Sequence, residues 1–207
     1  METTGYLLKQ AVGGNSEAAF RLGYRFAFNR KPVKRDLALA RKYWLQAANA
    51  GNARAQFYLG TLFDQGLGVK KDFSEAVRYF RLAAEQEHDM AQFNLACALM
   101  DGDGIRQNEK EAVVWLVKAA NQDLAEAQHL LGYCYFSGTG TAKNEKLAHK
   151  FYNLSAAQGN VQSMYNLGLM YLYGDGVGKN RSKALNWLQK AKDGGHRKAG
   201  SIISKYS

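Results

Sequence analysis

The chain has 207 residues and a formal net charge of +10, because 28 lysines and arginines outnumber 18 aspartates and glutamates. With 46% hydrophobic and 22% charged residues, the composition is that of a folded protein and excludes a disordered tail. No apolar run reaches the roughly eighteen residues needed to cross a membrane, and the first residues lack the pattern of a secretion signal. Two cysteines are too few for a disulfide scaffold, so we expect a reducing, cytoplasmic compartment.

Residue types recur along the chain at a spacing of 36 residues. One column holds the small residues Gly60, Ala96, Gly132 and Gly168. Such self-similarity is typical of repeat proteins, in which each unit buries its apolar face against its neighbours. The columns predict one domain over residues 1–207, with an N-terminal capping helix at 3–13, repeats at 16–52, 53–88, 89–124, 125–160 and 161–196, and a C-terminal helix at 197–205.

Each repeat is predicted to form two helices, A and B. In the second repeat, helix A runs from Ala53 to about Gln65, with apolar residues at helical spacing. The glycine pair Gly66 and Gly68 ends it, because glycine adopts left-handed backbone conformations without strain. Asp72 then suits the N-cap of helix B, where its side chain accepts a hydrogen bond from an exposed amide. The predicted fold is an all-α, right-handed α/α solenoid of five helix-turn-helix repeats with half-repeat helices at both ends.

The repeat motif resembles the Sel1-like repeat, a relative of the tetratricopeptide repeat. The resemblance lies in the sequence Ala-Gln-Phe-Tyr-Leu-Gly at 55–60, Gly-Leu-Gly-Val at 66–69 and Ala83-Ala84, and it is stronger over 165–188. The first repeat departs from the pattern with Asn-Arg-Lys-Pro at 29–32, and the third has Ala96 in place of glycine. The resemblance implies a non-catalytic adaptor or scaffold that binds protein partners, in a family with many bacterial members.

Groove positions of tetratricopeptide repeats, transferred by analogy, predict a partner site on the concave face formed by the A helices. Aromatic side chains suit such a site because they bury a large area at a small cost in rotamer entropy. Aromatic stripes at helical spacing also form cores, so the sequence leaves open whether these columns face the groove or the interior. The candidate anchors are Phe57, Phe93, His129, Tyr165, Tyr24, Tyr133, Phe136 and Tyr173.

Charge is distributed unevenly along the repeats. The first repeat carries eight basic and two acidic residues, whereas the third carries three basic and six acidic ones. A basic end attracts acidic partners over long range, although a solvated charged surface would have the same composition. The chain lacks the continuous basic stripe of a dedicated nucleic-acid binder. The predicted partner is therefore a protein or peptide, with an acidic stretch oriented by Arg30, Lys31, Lys34 and Arg35.

No motif predicts catalysis, a metal or a cofactor. The glycine-rich segment 174–179 lacks the spacing and the preceding strand of a phosphate-binding loop, and its recurrence in four repeats indicates a turn. The chain contains no HExxH or CxxC motif, and Cys97 and Cys134 are expected to be small apolar residues of helix A. We therefore expect no cofactor and no small-molecule ligand.

Two alternative functions follow from this reading. The range of the resembled family suggests an immunity-type or regulatory protein that binds and inhibits a bacterial effector or enzyme. A cell-wall hydrolase is the second alternative, and it would need a cluster of polar catalytic groups that the groove columns do not supply. A non-catalytic interaction module remains the main expectation.

Overall fold

The computed structural model describes residues 3–28 and 34–206. Helices and their connections account for both ranges, which contain no strand. The helices are α1 (Thr4–Val12), α2 (Ser16–Ala27), α3 (Leu37–Asn49), α4 (Ala53–Gln65), α5 (Phe73–Glu85), α6 (Asp89–Asp101), α7 (Glu109–Asn121), α8 (Ala125–Ser137), α9 (Glu145–Ala157), α10 (Val161–Tyr173), α11 (Arg181–Asp193) and α12 (Ala199–Tyr206).

The helix boundaries agree closely with those predicted from the repeat pattern. Helix A of the second repeat is confirmed as α4, and α1 lies within the range 3–13 predicted for the N-terminal helix. The C-terminal helix begins two residues later than predicted, at Ala199, because the two residues before it form a turn. In that turn the amide of Ala199 donates to the carbonyl of His196 at 3.2 Å.

The B helices begin at a column of acidic and amide side chains. Asp72 caps α5 as predicted, with its Oδ1 accepting a hydrogen bond from the Glu75 amide at 3.1 Å. Such a bond satisfies one of the amides that have no partner within the helix. The same role is filled at α3, α7, α9 and α11 by Asp36, Asn108, Asn144 and Asn180.

The described residues form two compact units that divide between Gln107 and Asn108. The N-terminal unit contains α1 to α6, and the C-terminal unit contains α7 to α12. Within each unit, every helix packs against the one that follows it in the chain. This sequential packing is what a repeat architecture requires, since each helix pair buries its apolar side against the next.

Helix A and helix B of one repeat approach each other closely at a glycine. A Cβ atom built on Gly60 would lie 2.6 Å from ring atoms of Phe80, and one on Gly132 would lie 2.8 Å from the Tyr152 ring. Real Cβ atoms do not approach neighbours this closely, so these positions leave no room for a side chain. The same relation joins Gly23 to Trp44 and Gly168 to Leu188.

The glycine pairs after the A helices form turns, as the sequence analysis predicts. Gly174 ends α10 in the left-handed conformation with φ of 85°, and Gly176 follows with φ of 69°. A Cβ atom on Gly176 would lie 2.5 Å from the backbone of Glu145, the first residue of the preceding B helix. The second glycine is therefore required by both its backbone conformation and its close contact with the preceding repeat.

A column of buried glutamines links successive repeats. Gln56, Gln92 and Gln128 lie near the start of their A helices and are buried despite their polar side chains. Each Nε2 donates to a carbonyl in the last turn of the preceding B helix, at 3.2 to 3.3 Å. Each of these carbonyls also accepts a backbone amide from the turn after its helix, so the glutamine supplies a second hydrogen bond. The acceptors are Ala48, Ala84 and Ala120.

The glycine contacts predict a specific loss of stability. Gly60→Ala and Gly132→Ala force a methyl group into an aromatic ring, so each should lower the free energy of unfolding by about 1–3 kcal/mol. Denaturant unfolding followed by circular dichroism measures this. Gly5→Ala in α1 is the control, because a Cβ there meets nothing within 4 Å and alanine favours the helix. Equal stability of Gly60→Ala and wild type would contradict the close-approach explanation.

Candidate functional site

The A helices of the N-terminal unit form an open cavity of about 600 Å³. Its walls come mainly from α2, α4 and the start of α6, which are the A helices of three successive repeats, and α1 contributes Leu7. Aromatic rings and arginine side chains dominate the lining. We call this cavity the arginine pocket; it is lined by Leu7, Phe20, Arg21, Tyr24, Arg25, Arg54, Phe57, Tyr58, His88 and Met90.

Packed aromatic rings form the floor of the arginine pocket. Tyr58 lies at the centre, with its ring 4.9 Å from Trp44 in a stacked arrangement and 5.8 Å from Tyr24 edge to face. Phe57 meets the Tyr58 ring at 5.4 Å, and both side chains are half-buried. Burial, together with the neighbouring Tyr24, raises the pKa of Tyr58. Because the rings hold one another in place, the floor is already formed before any ligand binds.

Three arginines give the pocket its positive charge. The guanidinium of Arg54 lies 4.2 Å from the centre of the Phe20 ring, and its Nη2 donates to both carboxylate oxygens of Glu17 at 2.6 Å. Arg21 donates to the same carboxylate at 3.2 Å, and Arg25 donates to the Thr4 hydroxyl at 3.2 Å. Arg21 and Arg54 keep 50% and 53% of their side chains exposed, so both remain accessible to a ligand.

Glu17 balances part of this charge. Burial opposes its ionisation, but the hydrogen bonds and positive charge of Arg54 outweigh that effect and hold the pKa of Glu17 below its usual value. Asn52 and Arg21 act in the same direction. Glu17 is therefore ionised at neutral pH and fixes the direction of two of the arginine side chains.

His88 forms one wall of the pocket and also begins a helix. Its Nδ1 accepts a hydrogen bond from the Ala91 amide at 3.4 Å, which makes it the N-cap of α6. Its ring stacks on Phe57 with centroids 4.6 Å apart. Burial lowers the pKa of His88, although Asp89 opposes the shift from 3.6 Å. The neutral ring that results is the form able to accept the capping bond.

A smaller apolar cavity of about 180 Å³ lies in the C-terminal unit. Tyr133 and Phe136 line it, and Tyr133 is 48% exposed whereas Phe136 is half-buried. A cavity of this size accommodates a single apolar side chain. We call it the tyrosine pocket; its other lining residues are Tyr152, Asn166, Leu169, Met170 and Asp175.

Four of the predicted anchors line the two pockets in pairs, and the other four lie at separate positions. Tyr24 and Phe57 line the arginine pocket together, and Tyr133 and Phe136 line the tyrosine pocket together. Phe93 is half-buried on α6. The remaining three contact neighbouring polar or aromatic groups: His129 with Ser163, Tyr165 with His196, and Tyr173 with Tyr206.

The predicted basic group is only partly described. Lys34 and Arg35 are exposed, whereas Arg30 and Lys31 lie outside the described residues. Sequence reasoning did not select the pocket arginines Arg21, Arg25 and Arg54. One available signal was the spacing of Arg21 and Arg25, which lie one helical turn apart on α2 and flank Tyr24.

Cys134 behaves as the small apolar residue that the sequence analysis expects. It is buried, and burial raises the pKa of its thiol to about 11, so the sulfur carries a proton at neutral pH. Across residues 3–28 and 34–206, no three His, Cys, Asp or Glu side chains lie close enough to bind a metal ion together. In the same ranges, no helix is both long and apolar enough to span a membrane.

Comparison with protein families assigns the class. The family model of the Sel1 repeat matches five segments, at 16–52, 53–88, 89–124, 125–160 and 161–196. The chain therefore belongs to the Sel1 repeat family, and the predicted all-α solenoid class is confirmed. Sel1 repeat proteins are typically protein-interaction scaffolds, and the fold is generally non-catalytic.

Solved structures show the same fold. The chain is similar to c5321, a protective antigen of uropathogenic Escherichia coli strains, with a TM-score of 0.94 and 30% identity over 99% of this chain. That match covers 44% of c5321, so this chain spans less than half its length. A Sel1 repeat protein from Oxalobacter formigenes has a TM-score of 0.88 and 29% identity over 97% of this chain and 79% of its own.

Immunity proteins provide a more distant likeness. Immunity protein Pa5087 from Pseudomonas aeruginosa is 22% identical, with a TM-score of 0.54 over 92% of this chain and 70% of that one. Identity at this level supports the shared fold alone. No curated protein matches the sequence at a significant level.

The histidines predict a loss of stability in mild acid. Burial is the first cause of a lowered pKa at His88, His129, His149 and His196. The unfolded chain then takes up protons that the folded chain does not, so stability is full above the ordinary histidine pKa of 6.5 and falls as the pH drops through it. The melting temperature, measured from about pH 7.5 to about pH 5.5, should fall accordingly.

The variant His88→Asn tests how much of this pH dependence comes from the histidine that caps α6. Asparagine caps α4 and α10 at the equivalent positions, Asn52 and Asn160, so it should keep the cap while removing the titrating ring. The variant should show a flatter pH dependence, whereas His88→Ala should lose about 1 kcal/mol at neutral pH. An unchanged pH profile in His88→Asn would exclude His88 as a contributor.

Proposed function

We propose that the chain is a non-catalytic protein-binding module that holds a segment of another protein on its A-helix faces. The arginine pocket is the observation that carries this proposal, because it combines a preformed aromatic floor with accessible guanidinium groups. Tyrosine and arginine are enriched among the residues that dominate binding energy at protein interfaces. The tyrosine pocket adds a second recess, suited to one apolar side chain of a bound segment.

The A-helix faces are favoured over the B-helix faces. Exposed apolar side chains on the B helices, such as Leu82, Val114 and Leu154, are isolated positions of the kind found on most protein surfaces. The aromatic residues of α2 and α4 instead form a connected cluster beside a cavity. A connected cluster in a recess can exclude water from a bound side chain, which single exposed residues cannot do.

The chemistry of the arginine pocket supports binding rather than turnover. Arg21, Arg25 and Arg54 carry guanidinium groups, which donate hydrogen bonds to anions and offer no acceptor. His88 has its Nδ1 engaged as a helix cap, and Glu17 is engaged by two arginines. The predicted cytoplasmic location, the bacterial source and the role of Lys34 and Arg35 in orienting an acidic stretch remain predictions.

Selection from a random displayed-peptide library tests the proposal. Peptides selected by the full chain should bind more weakly to Tyr24→Ala, to Tyr133→Ala or to both, by about tenfold for a central contact. Titration calorimetry measures the affinities, and circular dichroism checks that each variant remains folded.

Leu154→Ala is the matched control, because Leu154 is 40% exposed on a B helix of the same unit as Tyr133. It should leave the affinity unchanged. A library that yields no binder, or selected peptides that lose affinity only with Leu154→Ala, would refute the A-helix site.

A further inference from the structure

We propose that the arginine pocket binds an acidic peptide segment, with an apolar side chain on the aromatic floor and carboxylates at the arginines. This inference rests on the proposed function and narrows it to one partner chemistry at one of the two pockets. It is carried by three features of the pocket: its charge balance, the fixed direction of its guanidinium groups and the apolar surface beneath them.

The first feature is an excess of positive charge. The lining residues that the structure describes include three arginines and no aspartate or glutamate; Glu17 contacts two of these arginines, and Asp89 lies 3.6 Å from His88. Asp89 is already engaged, with its Oδ1 accepting a bond from the Met90 amide at 2.6 Å. His88 is kept neutral by burial, so it neither adds to the excess nor competes for an anion. Electrostatic complementarity therefore favours a negatively charged ligand.

The second feature is the fixed orientation of the arginines. The guanidinium of Arg54 lies on the Phe20 ring and donates hydrogen bonds to both carboxylate oxygens of Glu17. Its side chain has therefore lost most of its rotational freedom before a ligand binds. Preorganised groups bind more tightly because the ordering cost is met in the unbound protein. The planar guanidinium also matches a carboxylate in a two-pronged hydrogen-bonding geometry. Carboxylates are the anions of acidic peptides.

The third feature, the apolar surface beneath the arginines, suits the bases of a nucleic acid as well as the apolar side chains of a peptide, and the position of Glu17 distinguishes the two ligands. Glu17 lies between Arg21 and Arg54 and contacts both, so the charges alternate along the pocket. A phosphate backbone carries charge at every step and requires a continuous basic track. An acidic peptide instead can place carboxylates at the arginines and apolar groups on Tyr24, Phe57 and Tyr58.

Matched synthetic peptides test this proposal on the full chain. Each acidic peptide of the array contains Asp or Glu together with aromatic or aliphatic residues. Its amide copy has the same sequence with every Glu replaced by Gln and every Asp by Asn. Acidic members should bind at least about tenfold more tightly than their amide copies, and the difference should shrink with added salt. A single-stranded oligonucleotide of similar length should bind more weakly than the acidic peptides.

Charge-matched variants assign the effect to the pocket. Arg54→Gln and Arg25→Gln should each weaken binding of the acidic peptides by about tenfold. Arg106→Gln removes the same charge from an exposed position between α6 and α7 and should leave the affinity unchanged. Glu17→Gln removes the competing negative charge but keeps an amide oxygen that can accept a hydrogen bond from Arg54, so it should strengthen binding severalfold, a gain that an unfolded variant could not produce.

The outcomes separate this proposal from the proposed function. If the acidic peptides and their amide copies bind equally well, the proposal of an acidic ligand is wrong, and the proposed protein-binding function still stands. The proposal of an acidic ligand is also wrong if Arg106→Gln weakens binding as much as the pocket variants do, if Glu17→Gln weakens binding, or if the oligonucleotide binds more tightly than the acidic peptides. If no peptide of either kind binds wild type while the chain is folded, both proposals fail.

Discussion

The close approach of two helices at a glycine is the contact on which the rest of the structure depends. At Gly60 the ring of Phe80 occupies the space that any side chain would need, so α4 lies directly against α5. This contact fixes how α4 is rotated about its axis. The rotation in turn decides which residues of α4 face the core and which, like Phe57, line the pocket. Phe57 lies about one turn before Gly60, and its ring is 6.1 Å from that of Phe80, so the candidate site adjoins this packing contact.

The groups that cap the helices also build the pocket. Asn52 caps α4 through its Oδ1, while its amide donates to Glu17 at 3.4 Å. Glu17 then holds Arg54, so a capping residue helps to orient an arginine of the site. His88 serves the same two purposes, as cap of α6 and as a ring stacked on Phe57. Because fold and site share these groups, a change at a cap alters both stability and the charge distribution of the pocket.

The helices could be predicted from the sequence because their signals are local and repeated. Glycine turns and acidic or amide caps follow each other at a fixed spacing, and this spacing predicts a helix from Ala53 to about Gln65, which is the range of α4. The pocket arginines could not be predicted in this way. Arg54 has Met90, Glu126 and Gln162 at the equivalent positions of later repeats, so it belongs to no recurring column. The 36-residue spacing predicts the residues that the repeats share, and it carries no information about positions at which the repeats differ.

Under the proposed function, recognition arises at the positions where the repeats differ. The small and capping columns stay nearly constant because the helix contacts permit few alternatives, whereas the position of Arg54 accepts basic, apolar, acidic and amide residues. The two pockets consequently differ in character: three arginines line one, whereas the described lining of the other has Tyr133, Tyr152 and Asp175 as its ionisable side chains. The net charge of +10 for the whole chain does not indicate the local charge of either pocket. On this proposal, each pocket sets its own partner chemistry through side chains that the repeat geometry leaves unconstrained.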